Sequence, residues 1–324
     1  MLPTDLAMTM FWTINFMYFL LYFLFQIWQT IMPMIICIGF FGNLVALFIA
    51  GDRKKKHPFM IRLLAVVDNM NLAVVTTDVI GRIKYGPGGM LYVLNNWGCK
   101  LGLYIVVVLQ HMEAWVIIML TVERYVSIMY PLHANRYLNL NRLKLIMSII
   151  VVFILVEYCP HLVIQRINDD TSGFPCQPSR NWGRKWLNVN HKSELVVFGP
   201  FGILLVSNII IILKLAKRNR KRASLGLNIN QNHQKETKLR KQAPLLLSIS
   251  FIFLLTHGAV YFFLRTDFGR ESFSEYLKEQ EQYMSLRFTC CMLLLYINYS
   301  VNFFIYVGSN AEMRKRFSGI FSRK

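Results

Sequence analysis

Acidic residues are scarce in this chain of 324 residues: 17 Asp and Glu stand against 36 Lys and Arg, which leaves a formal net charge of +19. Charged residues of either sign make up only 16% of the chain, whereas 55% of the residues are hydrophobic and 14% are aromatic. A soluble protein or a disordered basic tail of this charge would be rich in lysine and poor in phenylalanine. We therefore expect the apolar residues to lie in a bilayer and the basic residues to lie on one side of it.

Seven apolar runs are long enough to cross a bilayer, whose hydrocarbon core takes about 20 helical residues. They lie near residues 27–51, 59–84, 98–129, 141–165, 193–217, 240–265 and 286–308. The connections between them are too short to fold independently, so the sequence predicts one membrane domain. The expected fold class is an all-α membrane protein. It has an N-terminal segment at 1–26, a seven-helix transmembrane bundle at 27–308, and a tail at 309–324 that begins with a short amphipathic helix.

The basic residues gather on one side of the predicted bundle. The connections on the C-terminal side, together with the C-terminal tail, hold 24 basic and four acidic residues, and the rest of the chain is nearly neutral. The positive-inside rule therefore places the C-terminus in the cytoplasm and the N-terminus outside, as expected of a multi-pass plasma membrane protein. Anionic lipid headgroups are the expected partners of this inner surface. Nucleic acid is not, because membrane-length apolar runs separate the basic clusters.

One apolar stretch, at 6–25, has three interpretations: a signal-like region, an eighth helix, or an extension of the first span. A signal peptide is disfavoured because no basic residue precedes the apolar run. We interpret the stretch as an extracellular or interfacial extension.

Motifs of common membrane catalysts are missing. The sequence has no His-Glu-x-x-His, no P-loop and no nucleophile elbow, so we expect no enzyme. It also has no internal repeat, which argues against a transporter or channel. In that alternative, protons or cations would pass along Asp68, Glu113 and His111.

Ionisable side chains at membrane depth are few, and each costs about 2.5 to 3.5 kcal/mol to insert. They are Asp68, Asp78, His111, Glu113, Glu157, His161 and His257. Asp68 lies about midway along its span, so it needs polar partners from other helices. For the others, a hydrogen bond to a neighbouring helix is the alternative to a functional role.

Two of the six cysteines lie on the predicted outer face. Cys99 opens the third span, and Cys176 lies in the connection between the fourth and fifth spans. Because that face is oxidising, these positions predict a disulfide. The bond would tie a long outer loop to the end of a helix.

Short motifs occur along the spans in a consistent order. They are Gly42-Asn43 in the first span, Leu-Ala-Val-Val-Asp at 64–68, Glu123-Arg124-Tyr125 at the end of the third span, Pro200 in the fifth, and Asn-Phe-Phe-Ile-Tyr at 302–306. Cys99 precedes Arg124 by 25 residues. In this order and spacing, residues 33–317 resemble the rhodopsin-like G protein-coupled receptors. The ending of the seventh span, Asn-x-x-x-Asn-Phe-x-x-Tyr, is most similar to receptors for short neuropeptides of the FMRFamide type.

The resemblance implies a receptor that binds an extracellular peptide, here a short amidated neuropeptide, and activates a heterotrimeric G protein. A chemosensory receptor for small odorants is the alternative. The positions that match the family's switch are Glu123, Arg124, Tyr125, His257, Asn302 and Tyr306. Arg124 would pair with Glu123 in the inactive state and turn toward Tyr306 in the active state; snorkelling is its alternative role. The family's acidic partner on the sixth span is absent here, which predicts a weak inactive lock and basal signalling.

The resemblance also implies a sodium ion midway along the bundle. The matching residues are Asn43, Asp68, Glu113, Asn298 and Asn302. Oxygen ligands suit a hard cation. Glu113 adds a second carboxylate, so this pair would either share a proton or bind a cation more tightly. A protonated Glu113 bonded to a neighbouring helix explains the same residues, and no other cofactor is expected.

Helical position selects the candidates for ligand binding. Val106 and Tyr296 stand where amine receptors carry an aspartate and opsins a lysine, so neither amine nor retinal recognition is expected. The candidates are Asp78, Gln110, His111, Tyr261, Leu264 and Met292. Asp78 would meet a cationic residue of the peptide. The acidic loop at 267–281 would attract that peptide; a solvated loop without a binding role is the alternative.

Overall fold

The computed structural model describes residues 30–52, 55–85, 96–130, 133–167, 176–178, 194–225, 247–260 and 277–322. The apolar stretch at 6–25 and the binding candidates Tyr261 and Leu264 lie outside these ranges. The side chains of Asp78 and Cys176 also lie outside the described part, although their backbones belong to a helix and a strand.

Helices dominate the described residues. In chain order the elements are α1 (Thr30–Ile49), α2 (Lys56–Tyr85), α3 (Asn96–Met129), α4 (Ala134–Tyr137), α5 (Leu140–Glu157), α6 (His161–Ile164), β1 (Gln165–Ile167), β2 (Cys176–Pro178), α7 (Glu194–Leu225), α8 (Leu247–Val260), α9 (Leu277–Ser309) and α10 (Ala311–Phe321).

Seven of these helices, α1, α2, α3, α5, α7, α8 and α9, coincide with the seven predicted spans. Within the described ranges, five helices are long and apolar enough to cross a membrane: α1, α2, α3, α9, and α5 with the turn that follows it. The described part of α8 is apolar and shorter. The helix of the fifth predicted span, α7, ends at Leu225, eight residues beyond the predicted end of that span. It therefore carries about 12 Å of polar helix past the apolar run.

The outer end of the fourth span differs from the prediction of one continuous helix to residue 165. α5 ends at Glu157, and a turn containing Pro160 follows, because proline cannot donate the next helical hydrogen bond. After the single turn α6, β1 pairs antiparallel with β2, with Ile167 opposite Cys176. This short hairpin was not predicted; strands of three residues carry too little alternation to be recognised in a sequence.

The core of the bundle has an inner and an outer cluster. The inner cluster gathers around buried residues such as Met60, Leu64, Ile117, Leu120 and Phe253. The outer cluster includes Met32, Leu72, Tyr296 and Tyr299. On the outside, apolar side chains of α1 and α5 such as Phe48 and Val156 are exposed, as expected of surfaces that face lipid.

Close contact between α1 and α9 depends on glycine. A Cβ on Gly39 would lie 2.1 Å from Oγ of Ser300, and one on Gly42 would lie 3.0 Å from Cβ of Phe303. Small residues allow helix backbones to approach closely in membranes. Ser300 uses this proximity to donate a hydrogen bond across to the carbonyl of Ile35 at 3.2 Å.

The predicted amphipathic helix after the seventh span is α10. Asn310 caps it, since its side chain accepts hydrogen bonds from the backbone N–H of Glu312 at 3.0 Å and of Met313 at 3.4 Å. Met313 is buried against the bundle, and the ring of Phe317 lies 5.6 Å from that of Phe303. The exposed side chains of the helix include Arg314, Lys315 and Arg316.

The sulfur of Cys99, at the outer end of α3, forms a disulfide. Cys37, Cys159, Cys290 and Cys291 are free thiols. The pairing of Cys99 with Cys176 stays a prediction, because the side chain of Cys176 lies outside the described residues.

Candidate functional site

Helix α3 carries two groups of buried polar residues. Glu113 lies near its middle, and Glu123 and Arg124 lie near its cytoplasmic end. Glu113 precedes Arg124 by 11 residues, which is about 16 Å along a helix. The two groups are therefore separate sites on one rigid element.

Asp68 of α2 lies in the first group. It is fully buried, and its Oδ2 accepts a hydrogen bond from Nδ2 of Asn302 in α9 at 2.7 Å. Its other carboxylate oxygen, Oδ1, has no hydrogen-bond partner among the described residues. One buried acceptor at this position is thus left for a water or an ion.

Glu113 is the second buried carboxylate of this group. Its Oε1 accepts a hydrogen bond from Nδ2 of Asn298 in α9, and its Oε2 lies 3.6 Å from Nε2 of His257 in α8. Asn298 and Asn302 are four residues apart on α9, so they share a face, and each donates to one carboxylate. The two carboxylates are close enough to interact electrostatically.

Asn43 joins this group less directly. Its Nδ2 donates to the backbone carbonyl of Tyr299 at 2.9 Å, and its Oδ1 has no partner among the described residues. The hydroxyls of Tyr299 and Tyr306 are also buried without a hydrogen-bond partner there. Four of the predicted sodium ligands therefore lie together, and Asn43 reaches them only through the backbone of α9. No group of three or more His, Cys, Asp or Glu side chains within the described ranges has metal-binding geometry.

The second group centres on the Glu123 carboxylate. Its Oε2 lies 3.5 Å from Nε of Arg124 and 3.9 Å from Nδ1 of His57, near the start of α2. Oγ of Ser127 donates to its Oε1 at 3.5 Å. Tyr306 makes no hydrogen bond through its hydroxyl in the described structure, so Arg124 faces its acidic neighbour rather than this tyrosine.

Neighbouring contacts fix the second group in place. Lys56 donates from Nζ to the backbone carbonyl of Leu138 at 2.7 Å, which ties α2 to the connection that follows α3. About one turn before Arg124, the hydroxyl of Thr121 lies 3.2 Å from that of Ser250 and joins α3 to α8. Tyr125 is only partly buried.

The described ligand-binding candidates lie toward the outer half of the bundle. Gln110 is partly buried on α3. His111 is held at both ring nitrogens: Nδ1 lies 2.8 Å from the carbonyl of Val107, and Nε2 lies 2.6 Å from the hydroxyl of Tyr158. Met292 packs against the outer core cluster.

Comparison with known proteins identifies the family. Residues 42–306 match the family described as 7 transmembrane receptor (rhodopsin family). This chain belongs to the rhodopsin family of seven-transmembrane receptors. Membership confirms the all-α seven-helix fold class, a multi-pass protein of the plasma membrane, and the expectation that the chain is not an enzyme.

Curated relatives of this rhodopsin-family receptor are distant. Cysteinyl leukotriene receptor 1 of Sus scrofa is 24% identical over 205 residues, which cover 61% of this chain and 59% of that receptor. The Homo sapiens receptor of the same name is 24% identical over 204 residues with the same coverage, and the Mus musculus one is 23% identical over 206 residues, or 61% and 57%. The match thus spans about three-fifths of these relatives. None of the three is a receptor of the FMRFamide type.

Sequence reasoning missed two residues at the sites of this rhodopsin-family receptor. His57 contacts Glu123, and Tyr158 contacts His111. The sequence context marks each of them as a residue near a helix end. His57 follows a run of basic residues immediately before Pro58, and Tyr158 lies two residues before the helix-breaking Pro160. Neither signal specifies a partner, because the partners lie on other helices.

Proposed function

We propose that this receptor binds an extracellular ligand and, in response, activates a heterotrimeric G protein at its cytoplasmic face. The buried contact between Glu123 and Arg124 carries the proposal. The Glu123 carboxylate holds the buried Arg124 side chain at the end of α3. A change in helix packing would separate the two side chains and free Arg124 to contact the G protein. A ligand shifts this equilibrium only by its differential affinity for the two states.

Reconstitution tests this activity directly. The purified receptor in lipid discs is mixed with several types of heterotrimeric G protein, and nucleotide exchange is followed with and without candidate ligands. We expect ligand-dependent exchange with at least one G protein type. Ion flux through receptor-containing liposomes, without any exchange, would instead support the transporter alternative.

A short amidated peptide is the first candidate ligand. The support is the resemblance of residues 298–306 to the neuropeptide-receptor motif, together with an acidic residue, Asp78, on α2 toward the outer side. A carboxylate there would pair with a cationic peptide side chain. An Asp78→Asn variant should then weaken the response to a basic peptide by at least tenfold and leave the response to an uncharged ligand unchanged.

A lipid mediator is the second candidate ligand. The relatives are named for cysteinyl leukotrienes, and each matches 61% of this chain. A screen of amidated peptides beside cysteinyl leukotrienes separates the two candidates, because only one library should produce exchange. A response confined to small volatile molecules would favour the chemosensory alternative.

A sodium ion between Asp68 and Glu113 fits the residues that are present. Oδ1 of Asp68 is buried and has no hydrogen-bond partner in the part of the chain that the structure describes, and oxygen ligands suit a hard cation. When bound, the ion would neutralise part of the buried negative charge. A proton shared between the two carboxylates is the other form of the proposal. Agonist affinity measured across sodium concentration and pH tests both, and an affinity that depends on neither would contradict them.

The inner surface of α10 is the proposed contact with anionic lipid. Arg314, Lys315 and Arg316 are exposed on a helix whose Met313 faces the bundle. Each basic residue near an anionic surface contributes about 1 kcal/mol. Lipid discs with and without anionic lipid, compared by thermal unfolding of the wild type and of an Arg314→Gln/Lys315→Gln variant, measure this contribution.

A further inference from the structure

The second inner connection, between α3 and α5, contains the short helix α4. This helix has only four residues, and the N–H of Leu138 donates a hydrogen bond to the carbonyl of Ala134 at 3.0 Å. A helix of one turn is not stable by itself, because fixing its backbone dihedrals costs more than its first hydrogen bond returns. The position of α4 therefore depends on contacts with other elements.

Cationic side chains from two other helices bind the C-terminal end of α4. Arg142 of α5 donates from Nη1 to the carbonyls of Arg136 and Tyr137. Lys56, the first residue of α2, donates from Nζ to the carbonyl of Leu138 at 2.7 Å. The last carbonyls of a helix have no partner within that helix, and the helix dipole favours cations there. The two side chains thus cap α4 from α5 and from α2.

Leu138 connects this cap to the core of the bundle. Its side chain is buried in the inner core cluster, and its carbonyl is the acceptor for Lys56. A second contact joins α5 to α2 nearby, since Nζ of Lys144 lies 5.6 Å from the centroid of the Phe59 ring. The start of α2 is therefore a fixed base to which Lys56 attaches the end of α4.

Two exposed tyrosines lie at the second inner connection. Tyr130 is 49% exposed and Tyr137 is 56% exposed, and their rings meet edge to face with centroids 5.5 Å apart. Tyr130 follows Arg124 by six residues, so a protein that reaches Arg124 from the cytoplasm would also meet these rings. Tyrosine is enriched among the residues that contribute most to binding at protein interfaces.

We propose that Lys56 is a positioning residue for the G protein contact. Through the carbonyl of Leu138, it holds α4 and the exposed ring of Tyr137 in place before the G protein arrives. A surface that is already ordered loses less conformational freedom when its partner binds, so the partner binds more tightly. This inference rests on the proposed signalling function.

Four variants separate positioning from a general effect of charge or folding. Lys56→Met keeps the length of the side chain and removes its donor, whereas Lys56→Arg retains a cation with N–H donors. Lys55→Met is the matched control, because it removes one charge from the exposed neighbour. Arg142→Met removes the other cap of α4 but keeps the backbone N–H that bonds to the side chain of Asn139 at 2.8 Å.

The first measurement is ligand-free nucleotide exchange over a range of G protein concentrations, in discs of neutral lipid. Lys56→Met should raise the G protein concentration for half-maximal exchange about two- to tenfold, the range expected for one hydrogen bond, and leave the rate at saturation unchanged. A poorly folded variant would lower the rate at saturation instead. Arg142→Met should act in the same direction as Lys56→Met.

The remaining two variants complete this first measurement. Lys56→Arg and Lys55→Met should match the wild type. A half-maximal concentration that is the same for Lys56→Met and the wild type would overturn the proposal. It would also be overturned if Lys56→Arg gave no better binding than Lys56→Met.

Hydrogen exchange of backbone amides needs no G protein and is the second measurement. In Lys56→Met the amides at 136–138, whose hydrogen bonds form α4, should exchange faster, and those in the middle of α5 should not change. Unchanged exchange at 136–138 would show that Lys56 does not hold α4. If the wild type activates no G protein type, the proposed function fails, and this measurement still judges the contact. If the wild type signals and Lys56→Met binds the G protein equally well, only the inference fails.

Discussion

The Oε2 atom of Glu123 lies 3.5 Å from Nε of Arg124, and both side chains are buried at the cytoplasmic end of α3. The Nη2 atom of Arg124 has no hydrogen-bond partner among the described residues. Its Nε atom also lacks one there, so the Glu123 carboxylate neutralises the guanidinium without a hydrogen bond to either atom. Because the sixth-span region reads Lys238-Leu239-Arg240, no acidic residue of that segment is available as the second partner.

We expect this incomplete pairing to produce measurable signalling without ligand. Wild-type receptor should stimulate nucleotide exchange above background, and Arg124→Ala should return exchange to background, because the freed arginine is the group that the G protein would meet. Exchange by equal amounts of folded wild-type and variant receptor is compared in the same lipid discs. Equal, low signals from both would refute the weak lock.

We expect His57 to stabilise the Glu123 carboxylate in its position beside Arg124. Its Nδ1 lies 3.9 Å from Oε2 of Glu123, and 12% of its side chain is exposed. Contacts of this kind near a surface are worth roughly 0.2 to 1 kcal/mol, so His57→Ala should raise basal exchange by at most about fivefold. His133→Ala, which changes an exposed histidine in the next inner connection, serves as the control. A fall in basal exchange would mean that His57 competes with Arg124 for the carboxylate.

Much of the bundle could be predicted from the sequence. The length of an apolar run belongs to each helix by itself, and the basic residues can be counted in the connections without knowledge of how the helices pack. The spacing of Asn298 and Asn302 likewise places both amides on one face of α9, where they reach the two carboxylates. Motif order placed Arg124 beside Glu123 near the end of α3. In each case, the relevant distance is set within one helix or by adjacency in the chain.

Contacts between helices were harder to predict. The approach of His257 to Glu113 depends on how α8 crosses α3, and the residues of these two helices do not by themselves specify the crossing angle. The contact of His57 with Glu123 depends on where α2 begins, which helical propensity leaves uncertain by a few residues. Both histidines could therefore be noted from the sequence, whereas the residues that they contact could not be predicted from it.

Removal of the outer disulfide should lower stability. Cys99 is bonded, and if Cys176 is its partner, then Cys99→Ser, Cys176→Ser and the double variant should unfold at the same reduced temperature. Loss of a native disulfide typically costs about 2 to 5 kcal/mol. Cys37→Ser, at an exposed free cysteine of α1, should leave the unfolding temperature unchanged. Different midpoints for the two single variants would assign Cys99 another partner.

The close approach of α1 and α9 predicts that a larger residue in place of glycine at this contact lowers the stability of the receptor. In Gly39→Ala the new methyl group would lie 2.1 Å from Oγ of Ser300, so one helix must shift, at a cost of about 1 to 3 kcal/mol. At Gly202 of α7 the added methyl group meets nothing within 4 Å, so Gly202→Ala should preserve or slightly raise stability through its better helix propensity. Thermal unfolding of both variants checks the difference. Ser300→Gly, introduced beside Gly39→Ala, removes the clashing side chain and should recover part of the loss; without any recovery, the close approach of α1 and α9 at this point would be wrong.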